Sequence, residues 1–204
     1  MGLYRDQVVP RVSDRVMDAP ELREVRARVC AGLAGHVVEI GFGSGLNAAH
    51  YPPAVTRLSA VEPSDVGWRL AGPRVAAVAV PVQRDGRDAQ DLPLADASAD
   101  AALSTWTLCT VPDPVRALRE VRRVLRPGGV LHLVEHGRAP DGDVRRWQRR
   151  LDPLNALVQG GCHLVRPVDE LLAAAGLQVL RLERWYLPGT PRPFGAMYEG
   201  AARA

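Results

Sequence analysis

Apolar side chains fall along this chain in two rhythms. Over residues 20–34, Leu22, Val25, Val29 and Leu33 recur at helical spacing, with Pro20 for the first turn and Asp18 as a cap. Residues 114–125 repeat the pattern. Asp113 is the N-cap, Pro114 the first residue, Leu118, Val121, Val124 and Leu125 the stripe, and Pro127-Gly128-Gly129 the stop. Around these helices stand short apolar runs: Val37–Ile40 (interrupted only by Glu39), Leu58–Val61, Ala77–Val82, Ala101–Ser104 and Val130–Val134. Runs of that length, bounded by turn residues, predict buried strands. Buried strands alternating with helices over short connections mark a parallel sheet covered on both faces.

The last third is less regular. Trp147, Leu151 and Leu154 predict a helix broken near Pro153, and 167–175 predicts another, stopped by Gly176. Leu177–Trp185 and Phe194–Ala201 predict two final strands paired antiparallel, and the Pro/Gly-rich link from Leu187 to Pro193 excludes a helix between them. At 204 residues the whole is expected to form one domain.

Composition narrows the class. With 47% hydrophobic and 24% charged residues and a mean hydropathy of −0.09, the chain is neither disordered nor membrane-like. No uncharged apolar run approaches the roughly 18 residues of a bilayer span. The first residues carry no secretory apolar core, and Asp6 stands where a myristoylation signal at Gly2 requires Ser or Thr. Cys30, Cys109 and Cys162 are too scattered for a disulfide framework, so a reducing, cytoplasmic setting is expected. All 26 basic residues are arginine, which excludes Schiff-base and lysine general-base chemistry. The net charge of +3 is small and the arginines are dispersed, so no nucleic-acid partner is expected. The denser stretch Arg145, Arg146, Arg149 and Arg150 reads first as a solvated helix face and second, beside Trp147, as a weak membrane-surface contact.

Ligands of open parallel sheets bind beyond the carboxyl ends of the strands, and three motifs sit there. Gly41, Gly43 and Gly45 follow Glu39 with G-x-G-x-G spacing, whereas a dinucleotide fingerprint would need glycine at Leu46. Such a loop lets backbone approach a ligand, and the helix expected after it would turn its amides toward an anion. With no lysine after it, the loop is not a Walker phosphate loop. Glu62, at the next strand end, can accept both hydroxyls of a ribose, and Asp88-Ala89 can offer a carboxylate and an amide to an adenine edge. Glycine loop, diol acceptor and adenine reader, in that order, describe a nucleoside site. Glu39 suits a ligand with positive charge, such as an ammonium or sulfonium group. The plainer alternative is a set of turn glycines and surface acids.

These residues carry a resemblance. Val38–Asn47, Val61-Glu62-Pro63-Ser64, Asp88 to Pro93, Asp96–Asp100 and Leu125 to Gly129 resemble the class I S-adenosylmethionine-dependent methyltransferases of the type 11 kind, over about residues 37–137. The resemblance implies an α/β, Rossmann-like, doubly wound fold. Its seven-stranded sheet is mostly parallel, with an antiparallel last strand and helices on both faces. It implies S-adenosyl-L-methionine as cofactor. Gly41, Gly43 and Gly45 would meet the methionine part, Glu62 the ribose, and Asp88 and Ala89 the adenine, with Glu39, Asn47, Pro63 and Thr105 also expected at the cofactor. It divides the chain into an N-terminal helical cover (1–35), a cofactor-binding core (36–137), a substrate-side helical insert (138–176) and a C-terminal strand pair (177–204), in a monomer or homodimer.

A narrower likeness joins Thr107–Val111, Val134-Glu135-His136 and the stretch from Trp147 to Arg166 to the alkyl thiol methyltransferases, whose animal members carry an N-terminal membrane anchor with no counterpart read here. It implies a small-molecule methyl acceptor, in first place a thiol, in second a quinone-type carbon, a phenol or a lipid amine. His136 is the candidate general base, or else a structural strand-end histidine. Trp106 either walls the methyl-transfer chamber or is a core aromatic. Cys109 and Cys162 either touch substrate or pack as small buried thiols. His163 and Arg166 either read an acidic substrate or cap a helix, and Tyr4 lies in an N-terminal segment expected to set selectivity. His132 to His136 spells an inverted zinc-protease motif, but in a strand its histidines stand about 13 Å apart with Glu135 facing away, so no metal is expected. Two readings from other classes are an NAD-dependent oxidoreductase, which Leu46 and the absence of a Tyr/Lys relay oppose, and a non-catalytic nucleoside-binding module.

Overall fold

The computed structural model describes residues 4–204. Gly2, set aside above as an acylation site, lies outside the described residues. Strands β1 (Gly35–Ile40), β2 (Val55–Val61), β3 (Val82–Gly86), β4 (Ala99–Thr105), β5 (Leu125–His136), β6 (Gln178–Tyr186) and β7 (Ala196–Arg203) form one sheet. Its order is β3-β2-β1-β4-β5-β7-β6. The first five strands run parallel, and β7 runs antiparallel to both β5 and β6. The predicted sheet class and the reversed last strand are therefore both present.

Period-two alternation explains the two layers. Val37, Leu58, Leu103 and Val134 pack beneath α2 (Pro20–Cys30) and α3 (Asp65–Ala76), through Val25, Val29 and Ala71. Val38, Ile40, Ala102, Leu131 and Leu133 point the other way, onto Leu118, Val121 and Val124 of α4 (Pro114–Val124) and Val168 and Leu172 of α6 (Val168–Ala174). Each such fully buried Val or Leu contributes about 1.5–3 kcal/mol of transfer free energy. Helix α1 (Val9–Val16) follows a π-helical turn at Tyr4–Val8, and α5 (Gly142–Val158) lies between β5 and α6.

Several expectations need correction. The third strand is not Ala77–Val82: Ala77 caps α3, and the strand begins at Val82. As a sheet edge, β3 is mostly polar (Val-Gln-Arg-Asp-Gly), so the apolar run that drew attention belongs to the end of a helix and its turn. Helix α5 runs unbroken through Pro153. Proline withholds an N–H from the carbonyl of Arg149, but both residues lie on the exposed face, where water can replace the lost bond. Asp18 does not cap α2; it pairs with Arg23 at 3.0 Å. A four-residue helical turn, α7 (Arg192–Gly195), occupies the link expected to hold none. The helix expected after the glycine loop is only a 3₁₀ turn, Ala48–His50. Tyr51 precedes Pro52, which disfavours helical ψ, and Tyr51 is extended at ψ 127°.

Candidate active site

Parallel pairing brings the carboxyl ends of five strands to one edge. Ile40 stands in register with Val61 and with Ser104, Val61 with Gly86, and Thr105 with Val134. The glycine loop, Glu62, the 87–89 turn, Thr105-Trp106 and His136 therefore share an edge, and the strand order reverses between β1 and β4 in the middle of it. An open depression of about 710 Å³ lies elsewhere, between α2 and β6 (Arg28, Trp185, Glu199), and contains none of these groups.

Glu39 is fully buried and takes hydrogen bonds from Asn47 Nδ2 (2.9 Å) and Tyr51 Oη (2.6 Å). Asn47 also donates to Thr105 Oγ1 at 2.9 Å. Above this group α2 lowers Arg26, only 4% exposed, whose Nη1 reaches Asn47 Oδ1 at 2.9 Å. Its guanidinium carbon lies 4.6 Å from the centre of the Trp106 ring. Burial raises the Glu39 carboxyl to about 7, against the hydrogen bonds from Tyr51 and Asn47 and the nearby Arg26 charge. Desolvation also lowers Arg26 to about 10.

The glycines divide by role. A Cβ on Gly41 would lie 2.0 Å from Thr107 Oγ1, so close packing against the β4 loop requires that glycine. One on Gly43 would meet only Gly41 O, at 3.9 Å, so this is the loop position that faces open space. Its N–H donates to Glu62 Oε2 (2.6 Å), while Glu62 Oε1 accepts from Ser64 N (2.7 Å). Pro63 is exposed. Asp88 Oδ1 accepts from Gln90 N and Nε2, at 2.8 and 3.0 Å, beside the buried Ala89.

A different chemistry occupies the tips of β4 and β5. Trp106 adopts a left-handed backbone (φ 51°), rare for a bulky residue. Beyond it Cys109, 1% exposed, stands with its Sγ 3.5 Å from Cys162 Sγ, and His136 Nδ1 is 3.6 Å from Cys162 Sγ. The Cys109 contact, helped by His136, holds Cys162 below the ordinary thiol range, and Cys109 is pushed well above it. His163 donates its backbone N–H to Cys109 O (2.8 Å), but its ring is held by Asp152 (2.9 Å), and Arg166 bonds Val111 O (3.0 Å). Tyr4 Oη donates to Val158 O at the end of α5 (2.9 Å). His132, the other histidine of the zinc-protease motif, packs over Gly32.

Known proteins match this frame. Residues 38–133 match a methyltransferase domain family. The human thiol S-methyltransferase TMT1B is 32% identical over 98% of this chain and 84% of its own length. The human thiol S-methyltransferase TMT1A is 33% identical over 78% of this chain and 67% of its own. A solved S-adenosylmethionine-dependent methyltransferase from Thermotoga maritima superposes with a TM-score of 0.67 at 25% identity, covering 95% of this chain and 93% of that one.

The chain belongs to the class I S-adenosylmethionine-dependent methyltransferases. Its cofactor is S-adenosyl-L-methionine, and the oxidoreductase and non-catalytic readings fall away. The residues fit that group. The methionine end is a zwitterion, and the site sets a cation, Arg26, beside an anion, Glu39, in a buried polar cluster. Arg26 Nε is buried without a hydrogen-bond partner among the described residues, an unmet donor where a carboxylate would be welcome. Glu62 spends one bond on each oxygen and retains lone pairs for a diol. Sequence reasoning missed Arg26, which sits in the α2 periodicity as an ordinary polar position. The signal was its phase: it adjoins Val25 on the buried side.

Proposed function

We propose that this methyltransferase methylates the sulfur of a small thiol. The supporting observation is that likeness to the thiol S-methyltransferase spans 98% of the chain, beyond the cofactor core at 38–133 and into the 138–166 segment that supplies Cys162. The cofactor contributes a methyl group already activated on a sulfonium. Arg26 and Glu39 take its carboxylate and ammonium, with Asn47 and Thr105 fixing their geometry. Gly43 gives the chain's closest open approach, while Gly41 and Gly45 shape the loop. Glu62, supported by Pro63, takes the ribose, and Asp88 with the Ala89 amide takes the adenine. Trp106 divides this half from the acceptor half, where Cys109, His136 and His163 line the approach and His136 is the group nearest an acceptor's proton. The 1–35 cover, with Tyr4, and the 138–176 insert set selectivity.

We further propose that the protein works in the cytoplasm as a monomer or homodimer. Among the described residues no helix is long and apolar enough to cross a membrane. A membrane-surface contact is supported by Val8, Val12 and Val16 near α1 and Trp147, Leu154 and Leu157 on α5, all exposed, on segments joined at Tyr4 and Val158. The deciding experiment follows S-adenosylhomocysteine release with matched thiols, phenols, amines and quinols. Thiols should turn over fastest; turnover confined to another class would overturn the sulfur assignment.

A further inference from the structure

Two thiols and an imidazole meet at the β4 and β5 tips, from three separate stretches of chain. Their donor atoms, Cys109 Sγ, Cys162 Sγ and one His136 ring nitrogen, all lie within 4.8 Å of one another. With Zn–S bonds of about 2.3 Å and Zn–N bonds of about 2.0–2.1 Å, a tetrahedral zinc site has S···S edges of about 3.8 Å and S···N edges of about 3.6 Å. The observed Cys109–Cys162 and Cys162–His136 separations are 3.5 and 3.6 Å. Two of the three edges are therefore already near those of a tetrahedron around one ion, and the third, Cys109 to His136, lies within 4.8 Å.

The surroundings call for a cation. Glu135, fully buried beside His136, accepts from Ser104 Oγ (2.6 Å) and Thr107 N (3.0 Å) through Oε1, while Oε2 has no partner among the described residues. A buried carboxylate needs compensation, and among the described residues no arginine pairs with Glu135: Arg26 lies against Trp106, and Arg166 Nη2 bonds Val111 O. The backbone also fixes the ligands. Asn155 Nδ2 holds Cys162 O at 2.7 Å, and His163 N holds Cys109 O at 2.8 Å, so the thiol-bearing segments are tied at their carbonyls.

We infer that Cys109, His136 and Cys162 form a three-ligand zinc-type site whose open fourth position takes the sulfur of the acceptor thiol. Three protein ligands with one position left open is the pattern of a catalytic zinc centre, and two thiolates with one imidazole suit zinc. The site itself stands on the donor geometry; the identity of its fourth ligand rests on the thiol reading above. On binding, the acceptor's S–H proton passes to solvent and a metal–sulfur bond forms, so the acceptor is presented as a thiolate at neutral pH. Transfer then forms a C–S bond to that sulfur as the sulfonium C–S bond breaks, the electron pair staying with S-adenosylhomocysteine. The thioether product, a weaker ligand, leaves. His136 serves as a ligand in this scheme, and the proton needs no protein base.

The test uses cobalt(II) as a coloured substitute for zinc. Metal-free full-length protein titrated with cobalt should develop the visible bands of a tetrahedral ion and near-ultraviolet thiolate charge transfer, saturating at one equivalent and bleached by zinc. Cys109→Ser, Cys162→Ser and His136→Asn should each lose most of the signal, while a thermal shift with S-adenosylmethionine verifies that each variant is folded. An alkyl thiol, but not the matching alcohol, should shift the charge-transfer band. Failure of the wild type to bind cobalt or retain zinc, or a Cys109–Cys162 disulfide in freshly purified protein that refuses metal after reduction, overturns the site. A thiol that leaves the bands unmoved overturns the fourth-ligand assignment. Both results leave S-adenosylmethionine stabilisation intact, whereas loss of that stabilisation with metal retained would count against the cofactor site instead.

Discussion

The two halves of the strand edge are built from opposite materials. On the β1–β2 side the groups are hard and charged: Glu39, Asn47, Thr105 and Arg26 form one buried network, with Glu62 across the glycine loop. On the β4–β5 side they are soft: two thiols and an imidazole, with a half-satisfied carboxylate behind them. Trp106 separates the halves, and its strained backbone turns the chain from one to the other. Under the proposed assignment, the hard half would recognise a charged, hydroxylated ligand through hydrogen bonds. The soft half suits a polarisable acceptor atom. A methyltransferase needs both, because cofactor recognition and acceptor activation are separate problems with separate chemistry.

The strongest way to break the comparison is to disable one half alone. Glu62→Ala should abolish stabilisation by S-adenosylmethionine, which for the intact protein amounts to about 2.7 kcal/mol at 100 times Kd. The cobalt spectrum of the soft half should survive. Loss of both in a folded variant would mean that the halves are one cooperative unit. The variant also strands the N–H groups of Gly43 and Ser64, so a loss of about 1–3 kcal/mol in unliganded stability per uncompensated donor is expected and must be measured separately.

The same contrast explains what could be read in advance. The hard half was legible because its residues are local: Glu39 to Asn47 span one strand end and the loop after it, and Glu62 follows at the next strand end. Parallel pairing then brings together whatever stands at strand ends. The soft half was not legible as a unit. Cys109 and Cys162 are 53 residues apart, and each taken alone is an ordinary buried thiol. Only the path of α5 brings Cys162 back over β5, and that helix was expected to break at Pro153. Arg26 stayed hidden for a related reason: its partner Asn47 lies 21 residues away, in another layer. The fold-level errors share a cause too. Edge strand β3 is polar, and Pro153 is exposed, so neither obeys rules drawn from buried elements.

A finer test addresses the cation of the hard half. Arg26→Lys keeps a charge but loses the planar donor set, including the unmet Nε. If Arg26 holds the cofactor's carboxylate, the loss should be about 1.5–3 kcal/mol, roughly 10- to 150-fold in Kd for S-adenosylmethionine. Methylthioadenosine lacks the amino-acid end, so its affinity should not change. Equal losses for both ligands would assign Arg26 to packing against Trp106 instead.

The smallest effect is a pH slope, and it bears on the anion of the same pair. Burial lifts Glu39 to about 7 in the unliganded protein, from 4.5 when exposed. A carboxyl raised in this way stabilises the fold in its protonated form, fully below about pH 4.5, and that contribution is lost as pH rises through about 7. A cofactor ammonium reverses the preference: it favours the carboxylate, so binding below pH 7 must expel a proton. Affinity should therefore rise with pH toward about 7, by at most about tenfold per unit for one proton released, and then level off. Calorimetry in buffers of differing ionisation enthalpy, from pH 5.5 to 8, counts that proton directly. Glu62 is also raised by burial, but in the proposed assignment it would face a neutral diol, so Glu39→Gln should remove most of the slope while Glu62 remains. A slope that persists in Glu39→Gln would move the ammonium away from Glu39 and leave the Arg26–Glu39 pair as a structural brace beneath α2.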